Sequence, residues 1–393
     1  MKEFWKEAWK ATKHFFRTAD IFLLLICLMS AVYGVVLISS AGRAMWVGSE
    51  GDRVLVNQVA RLVTVQGVAI LIGIVLFVIL SCVPLDVLAR FWKGILIFNV
   101  VFILLLFIWG ADINGNKSWL NIPGFPVSIQ PAEVVKAGFI LVLAKQISTF
   151  AQQDRLSGAY SIGLLAVHLG LMAGTIFVPS RDVGMIVVYV LIFLSMCLAG
   201  GLKLRWFVVS GALVVGAAPL LWKFLGPNQQ NRLLYGFNPE LDPVHYGWQA
   251  IRSKLAVGGG GMTGQGLYKG LQIQQGRLPE KQTDFIFSVA AEELGFIGCA
   301  VILLLLAAII VRCLHVAIRA KSHIATVVCV GVASMILFQT IINIGMCLAL
   351  TPVIGLTLPF FSYGGSSVIT MFAAVGMVSS AYRYPKTHLL MEK

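Results

Sequence analysis

Residues 277–298 read RLPEKQTDFIFSVAAEELGFIG and change from a polar loop to an apolar helix at one carboxylate, Asp284. The loop half contains Pro279 and several charged residues. The helical half opens a long apolar run that still carries Glu292 and Glu293. A run of roughly 20 apolar residues is long enough to cross a bilayer. The stretch therefore predicts a membrane-spanning helix that begins beside Asp284, at the membrane–water boundary.

The composition extends this prediction to the whole chain. Of its 393 residues, 58% are hydrophobic and only 12% are charged, more apolar surface than a soluble protein of this size could bury. The first twenty residues are charged, so no cleavable signal peptide is expected. The seven cysteines form no CxxC pair, and we expect them to act as small hydrophobic residues.

Apolar runs separated by polar segments predict an all-α polytopic membrane protein with about ten transmembrane helices, forming a single domain over residues 1–393. The predicted spans are 20–41, 59–81, 92–111, 133–150, 159–179, 183–201, 205–223, 285–311, 324–350 and 360–381.

The basic residues predict the orientation. With the N-terminus inside, 17 of the 30 lysines and arginines fall in cytoplasmic segments, and an even span count also places the C-terminus there. Residues 1–19 are then an amphipathic segment on the inner membrane surface, and 382–393 form a cytoplasmic tail. The remaining basic residues give the outer face a positive charge suited to an anionic ligand such as a diphosphate.

The seventh and eighth predicted helices are joined by a large extracellular loop, residues 224–284. Val244, Trp248, Ile251 and Leu255 recur at helical spacing, so 243–257 are expected to form an amphipathic helix on the outer membrane surface, with Arg252 and Lys254 on its polar side. The following GGGGMTGQG (258–266) could hold a phosphate, but a flexible hinge is favoured, because the lysine of a nucleotide-binding loop is missing. No nucleotide cofactor and no nucleic-acid partner are expected.

The acidic residues of the opening stretch allow two interpretations each. Asp284 is expected to cap the helix that follows it, and a carboxylate held there is also well placed as a base. Glu292 and Glu293 lie about two turns into the predicted span, where hydrogen bonding to a neighbouring helix is favoured over catalysis.

Five motifs, in the same order, resemble the SEDS family, whose members include RodA, FtsW and SpoVE. The motifs are NGNKSWL (114–120), SIQPAEVVK (128–136), DPVHYGWQAIRSKLAVGGGGMTGQG (242–266), LPEKQTDFIFSVAAEELGFIG (278–298) and NIGMCLALTPVIGLTLPFFSYGGSS (343–367).

The resemblance implies a peptidoglycan glycosyltransferase that polymerises lipid II outside the bacterial cytoplasmic membrane, beside a class B penicillin-binding protein. The family's essential aspartate falls on Asp284, as the general base for the acceptor hydroxyl. Arg53, Arg61, Lys117, Arg232 and Lys254 are the candidates to bind the leaving diphosphate, alone or with a divalent cation such as Mg²⁺ or Mn²⁺.

Family motifs add further candidate substrate-binding residues. Glu133 and Lys136 could pair along a helix, and orienting the wall of the site is the favoured role. The others are Trp119 and Asp182, together with Gln282 and Thr283 beside the base.

Four positions depart from the family pattern. Ala132 replaces a serine, and Ser180 and Arg181 replace Gln-Pro before Asp182, which leaves the role of Asp182 open. Gln282 stands where division-type members carry histidine. Together with the short cytoplasmic tails, it favours a RodA-like role in elongation over an FtsW-like or SpoVE-like role in division or sporulation.

Two other functions stay open. A chain with many spans could flip or transport a lipid-linked precursor, but the polar residues concentrate on one face and no inverted repeat is evident. A non-catalytic scaffold is the third possibility, and it would leave Asp284 replaceable. The segment TPVIGLTLPFFSYGGSS (351–367) is expected to be a re-entrant turn with a structural role.

Overall fold

The computed structural model describes residues 15–43, 51–113, 116–121 and 128–385, without the side chains of 51–58, 112, 113, 116, 221 and 228. The predicted amphipathic segment 1–19 and tail 382–393 lie largely outside these residues, and so does the side chain of Arg53.

Helices account for most of the described chain. They are α1 (Ile21–Arg43), α2 (Gly51–Cys82), α3 (Leu85–Arg90), α4 (Trp92–Leu104), α5 (Leu106–Trp109), α6 (Pro131–Gln152), α7 (Ala159–Ser180), α8 (Val183–Ala199), α9 (Arg205–Phe224), α10 (Pro227–Phe237), α11 (Trp248–Gly259), α12 (Leu271–Gln274), α13 (Ile286–Arg319), α14 (His323–Cys347) and α15 (Gly365–Arg383), with a 3₁₀ turn at Pro239–Leu241.

The predicted class of polytopic helical membrane protein is confirmed. Among the described residues, eight helices are long and apolar enough to cross a membrane, and two further apolar helices, Val183–Ala199 and Arg205–Leu220, are shorter. Each of the ten predicted spans coincides with one of these helices. The count of ten transmembrane helices stays a prediction, because the two shorter helices fall below the length of an ordinary span.

One pair of short strands accompanies the helices and was not predicted. Strands β1 (Gly110–Ile113) and β2 (Asn116–Leu120) form an antiparallel hairpin that pairs Gly110 with Leu120 and Ala111 with Trp119, with a bulge between Ala111 and Ile113. The sequence carries a hairpin signal here, the Asn-Gly pair at 114–115, which favours tight turns between strands.

Small residues allow α2 and α15 to pack closely in the core. A Cβ added at Gly73 would lie 2.8 Å from the Phe372 ring, and one at Gly376 would lie 2.9 Å from the Cα of Phe77. Small residues at such contacts are typical of membrane helices, whose association depends on close packing. The cysteines behave as expected: all seven are free, and only Cys82 is exposed.

A buried ion pair ties the N-terminal end of α1 to the distal half of α13. Arg312 donates from Nε to Asp20 Oδ2 at 2.8 Å and from Nη2 to Asp20 Oδ1 at 3.1 Å. The same carboxylate caps α1 by accepting the Leu23 N–H at 3.1 Å, and the Asp20 N–H donates to Ser379 near the end of α15. Three helices are thus fastened at the end of the bundle where α13 and α15 finish.

The helix in the large loop differs from its prediction. It starts at Trp248 rather than 243, and its buried face consists of Ala250, Ser253 and Ala256. Leu255, predicted to face the membrane with the apolar stripe, is 50% exposed on the protein surface, which agrees with that prediction, and the helix has a second, buried face of small residues. The reason is that Ser253 enters the core: its hydroxyl lies 2.6 Å from that of Ser288 and donates to the Cys347 carbonyl at 2.7 Å.

The glycine run is a packed contact, so the predicted flexible hinge is wrong. Its backbone pairs with α13, where the N–H groups of Gln265 and Gly266 donate to the carbonyls of Glu292 and Glu293, both at 2.9 Å. The helix α13 is interrupted at Gly295, whose φ of 66° is not helical. A Cβ at Gly264 would lie 2.2 Å from the Glu293 carbonyl oxygen, so only glycine allows this approach.

We expect Gly264→Ala to lower the thermal stability of the protein markedly, because its φ of +78° and the contact with Glu293 both exclude a side chain. Gly258→Ala is the matched control, since a Cβ there would meet no atom within 4 Å. Unfolding temperatures in detergent should separate the two variants. Equal temperatures would contradict the role of the run as a packed contact.

Glu292 and Glu293 are structural, as the favoured interpretation predicts. Glu292 caps α12 by accepting the N–H groups of Gln272 at 2.7 Å and Ile273 at 3.0 Å. Glu293 accepts the Ser40 hydroxyl of α1 at 2.7 Å and the Gln274 amide at 3.2 Å. Both carboxylates fasten the outer loop to the bundle.

Candidate active site

The candidate site lies where four helices begin. α6 follows Gln130, α8 follows Asp182, α13 follows Phe285 and α15 follows Gly364. Side chains connect these ends, because the Gln130 amide donates to Asp182 Oδ2 at 3.5 Å and the Gln130 N–H donates to Ser366 Oγ at 3.1 Å. Helix N-termini carry partial positive charge, so their convergence favours an anionic ligand.

Asp284 is half-buried at this end of the bundle, and it does not cap α13 as predicted. The cap residue is Phe285, and no side-chain capping hydrogen bond is made at this end of α13. The reason lies in the preceding turn, in which the Glu280 carbonyl accepts the N–H groups of Thr283, Asp284 and Phe285 at 3.0–3.3 Å. The carboxylate is therefore not committed to the helix, and its Oδ2 lies 3.5 Å from a Cβ built on Gly355.

Burial, together with the nearby charge of Glu280, raises the pKa of Asp284 to about 7, against a lowering hydrogen bond from the Thr283 hydroxyl. Asp182 also raises the pKa of Asp284, and Arg232 lowers it. A carboxylate with a pKa near neutrality can both accept and release a proton at physiological pH. Asp284 therefore has the acid–base properties that a general base requires.

Asp182, unlike Asp284, caps the helix that follows it, α8. Its Oδ1 accepts the Met185 N–H at 2.9 Å. Burial raises the pKa of Asp182 to about 6, and the effects of Lys136 and Arg232 oppose that rise. The structure thus places Asp182, Asp284 and Arg232 within electrostatic reach of one another, with the exposed guanidinium of Arg232 contributed by α10.

Glu133 and Lys136 form an ion pair at 2.7 Å along α6, and both side chains are buried. The Gln339 amide points at Glu133 Oε1 from α14, at 3.5 Å. The pair lies within two turns of Gln130, behind the surface on which Asp182 sits. This burial places the pair in the wall of the site.

The other candidates are spread more widely. The exposed Arg61 lowers the pKa of Tyr363, which burial raises, and the Tyr363 N–H donates to the Gln282 carbonyl at 2.8 Å, so Arg61 lies near the Asp284 loop. Lys117 and Trp119 sit in the hairpin, and Lys254 is exposed on α11. Within the described ranges, none of these three forms a hydrogen bond or ion pair with Asp284 or Asp182.

A protein-held metal centre finds no support in the side chains. In the part of the chain that the structure describes, no group of three or more His, Cys, Asp and Glu residues is arranged to hold a metal ion. Mg²⁺ is usually bound by only one or two carboxylates together with substrate phosphates, so the divalent cation stays a prediction beside the cationic side chains and helix N-termini.

Residue-by-residue prediction missed the groups that hold the Asp284 loop in place. Gln66, Asn343 and Ser362 are buried, and each bonds this loop or the chain beside it. Asn343 and Ser362 lie inside the motif at 343–367, so a signal for them was present. Gln66 lies in an apolar span with no motif of its own, and only the fold brings it close.

The comparisons with known proteins all point to one family and cover most of the chain. The family model of the FtsW, RodA and SpoVE cell cycle proteins matches residues 21–387. The peptidoglycan glycosyltransferase MrdB of Escherichia coli is 33% identical over 81% of this chain and 84% of its own length. The stage V sporulation protein E of Bacillus subtilis is 34% identical over 93% and 98%.

A solved structure supports the same relationship. A chain from a peptidoglycan synthase complex, reported for its structural coordination of polymerization and crosslinking, superimposes with a TM-score of 0.76 at 26% identity, over 94% of this chain and 98% of its own. The family model covers far more than half of the sequence, and the relatives exceed 30% identity. The chain therefore belongs to the SEDS family of FtsW, RodA and SpoVE membrane proteins.

Proposed function

We propose that this protein is a peptidoglycan glycosyltransferase that polymerises lipid II on the outer face of the bacterial cytoplasmic membrane. The observation that carries the proposal is Asp284, a half-buried carboxylate with a pKa of about 7 at the convergence of four helix N-termini. The naming of its relative MrdB as a peptidoglycan glycosyltransferase supports the same activity.

In the proposed reaction, the Asp284 carboxylate takes the proton from the 4-hydroxyl of the acceptor N-acetylglucosamine. That oxygen forms a bond to the anomeric carbon of the donor, and the bond between this carbon and the diphosphate oxygen breaks. Undecaprenyl diphosphate leaves with the bonding electrons, and the anomeric centre inverts. General-base assistance of this kind contributes about 10²–10⁴ in rate.

Positive charge at the site favours the leaving group. Arg232 acts electrostatically on both Asp182 and Asp284, and Arg61 lies beside the same loop, which supports a role for both guanidinium groups in binding the diphosphate. The N-termini of α6, α8, α13 and α15 add partial positive charge. No step of this mechanism passes through a metal ion.

The partner in this proposal is a class B penicillin-binding protein, which would crosslink the strands. Support comes from the solved relative, which is a chain of a peptidoglycan synthase complex. A RodA-like role in elongation is proposed from Gln282. Because MrdB and stage V sporulation protein E are 33% and 34% identical to this chain, overall similarity does not separate the possible roles.

The experiment that tests the activity uses the purified chain with its penicillin-binding protein in detergent, with the partner's own active site blocked by a β-lactam. Detergent micelles have no two sides, so a carrier or flippase would form no product there. Glycan ladders from lipid II are the expected result. An intact complex that forms no ladders, but moves lipid II across vesicle membranes, would replace this proposal with transport.

The pH dependence of polymerisation should follow Asp284. Because the base must be ionised, kcat/KM should be half-maximal near pH 7 and fall about tenfold per pH unit below it. Initial rates between pH 5 and 9 check this. A rate that stays constant down to pH 5 would show that the group accepting the proton has an ordinary carboxylate pKa.

A further inference from the structure

Three consecutive carbonyl groups in the Asp284 loop are held by donors from one part of the chain. The Gln282 carbonyl accepts the Tyr363 N–H at 2.8 Å, the Thr283 carbonyl accepts the Ser362 hydroxyl at 2.5 Å, and the Asp284 carbonyl accepts the Asn343 amide at 2.8 Å. The backbone on both sides of the proposed base is therefore fixed by residues from the end of α14 and the segment before α15.

The segment that supplies these donors is itself tightly held. The Asn343 amide also donates to the Leu356 carbonyl at 2.6 Å, and the Ser362 hydroxyl accepts the Leu358 N–H at 2.8 Å. Asn343 and Ser362 are both buried. Each of them bonds both the 351–367 segment and the Asp284 loop, so the conformation of the segment fixes the position of the loop.

A third buried polar side chain links this segment to α2. Gln66 donates from Nε2 to the Ser362 carbonyl at 3.1 Å and accepts the Gly364 N–H on Oε1 at 3.2 Å. A buried amide with both ends bonded in this way defines a single geometry, because each unmade bond would cost about 1–3 kcal/mol. We call Gln66, Asn343, Ser362 and Tyr363 the positioning bracket.

These bracket bonds reach main-chain carbonyls and leave the carboxylate of Asp284 alone. A hydrogen bond donated to a carboxylate favours its ionised form and lowers its pKa. A bracket that holds the backbone therefore fixes where the base stands without reducing its basicity. Misplacing a reacting group by about 1 Å can cost about 10² in rate.

We propose that Gln66, Asn343 and Ser362 are positioning residues for Asp284, and that through Gln66 the bracket makes the placement of the base depend on α2. Ser362 is the central member, because its hydroxyl bonds the Asp284 loop and its carbonyl bonds Gln66. The inference rests on the proposed function, in which Asp284 is the general base.

The test compares Ser362→Ala with Ser380→Ala in lipid II polymerisation by the complex with its penicillin-binding protein. Ser380 is a matched control, because its buried hydroxyl likewise donates to a distant main-chain carbonyl, that of Val83 at 2.7 Å, at the other end of α15. Ser362→Ala should lower kcat about 10- to 100-fold with an unchanged KM, and the pH midpoint should stay near 7. Ser380→Ala should keep the wild-type kcat, and Ser362→Thr, which retains the hydroxyl, should restore most of it.

A second variant tests the bracket at another residue without burying a charge. Gln66→Met has a similar volume but can neither donate to the Ser362 carbonyl nor accept the Gly364 N–H, so it should show the same loss of kcat at unchanged KM. Wild-type kcat in Ser362→Ala or in Gln66→Met would overturn the proposal, and so would equal losses in Ser362→Ala and Ser380→Ala. If Asp284→Asn is inactive while both bracket variants are normal, the bracket alone fails. If Asp284→Asn is active, the proposed mechanism fails.

Discussion

Asp284→Asn should abolish polymerisation and, at pH 8, make the protein more stable. The amide cannot accept the acceptor's proton, so the rate should fall by about 10²–10⁴. The stability gain follows from the pKa. Burial raises the pKa of the folded-state carboxyl to about 7, whereas an unfolded aspartate has a pKa of about 3.9. The folded protein therefore binds the proton more tightly than the unfolded chain.

The raised folded-state pKa of Asp284 determines the pH range over which this contribution to stability is lost. Wild-type stability from this group is fully present below about pH 4, and is lost as the pH rises through about 7, where the folded carboxyl ionises. Asparagine has no such loss, because it cannot ionise. The unfolding temperatures of wild type and variant should therefore agree near pH 4, where both side chains are neutral, and the variant's should be higher at pH 8.

Thermal unfolding in detergent at the two pH values, with glycan ladders from the same preparations, measures both effects. Asp154→Asn is the control, because Asp154 is exposed in the loop after α6, at the far end of the bundle, and its positive φ suits asparagine equally. It should keep wild-type ladders. A lower unfolding temperature of Asp284→Asn at both pH values would indicate a lost helix cap, and retained ladders would remove Asp284 from the mechanism.

Much of the fold was predictable because membrane spans depend on composition over long windows. Every predicted span coincides with a helix, although boundaries moved: the span predicted at 285–311 belongs to α13, Ile286–Arg319, and the one at 360–381 belongs to α15, which begins at Gly365. The latter shifted because Pro359 and the Gly364–Gly365 pair delay the helix. Such short polar or glycine-rich stretches depend on local turn chemistry more than on hydropathy.

The large loop was harder to predict because contacts with the rest of the fold determine which of its residues are buried. Helical spacing placed Leu255 on a membrane-facing stripe, and Leu255 is exposed, but the spacing gave no sign that the small residues Ala250, Ser253 and Ala256 form a second, buried face. Spacing alone weighs a large apolar residue above a small one, whereas close helix packing favours the small one. The glycine run shows the same effect, since its partner, the backbone at Glu293, is visible only in the fold.

The candidate site was predictable where a motif marks a residue, and much less so for the role of that residue. Asp284 and Asp182 were both singled out, but only Asp182 caps the helix that follows it, α8. The turn at Glu280 includes Phe285, so α13 begins one residue later than a cap at Asp284 would require. The sequence alone does not indicate whether an acidic residue beside a helix start will cap that helix.

Glu133→Gln or Lys136→Met should each destabilise the protein by about 3–5 kcal/mol, the second large effect we expect. The two side chains meet at 2.7 Å and are buried, so removing one leaves the other charge without its partner in the core. The double variant Glu133→Gln/Lys136→Met contains no buried charge here and has a similar volume. It should recover most of the lost stability, because replacing a whole buried pair is often close to neutral.

Urea or thermal unfolding of the two single variants and the double variant measures this coupling, and polymerisation by the double variant assigns the role of the pair. We expect activity to return with stability, because neither side chain is exposed to a substrate and the pair forms the wall behind Asp182. The Asp20–Arg312 pair is the comparison at the opposite end of the bundle. Its Asp20 carboxylate is buried but Arg312 is 20% exposed, so breaking it should lower stability in the same direction and by less. A double variant that is stable but inactive would contradict the wall role, because the two charges themselves would then be acting on the bound diphosphate.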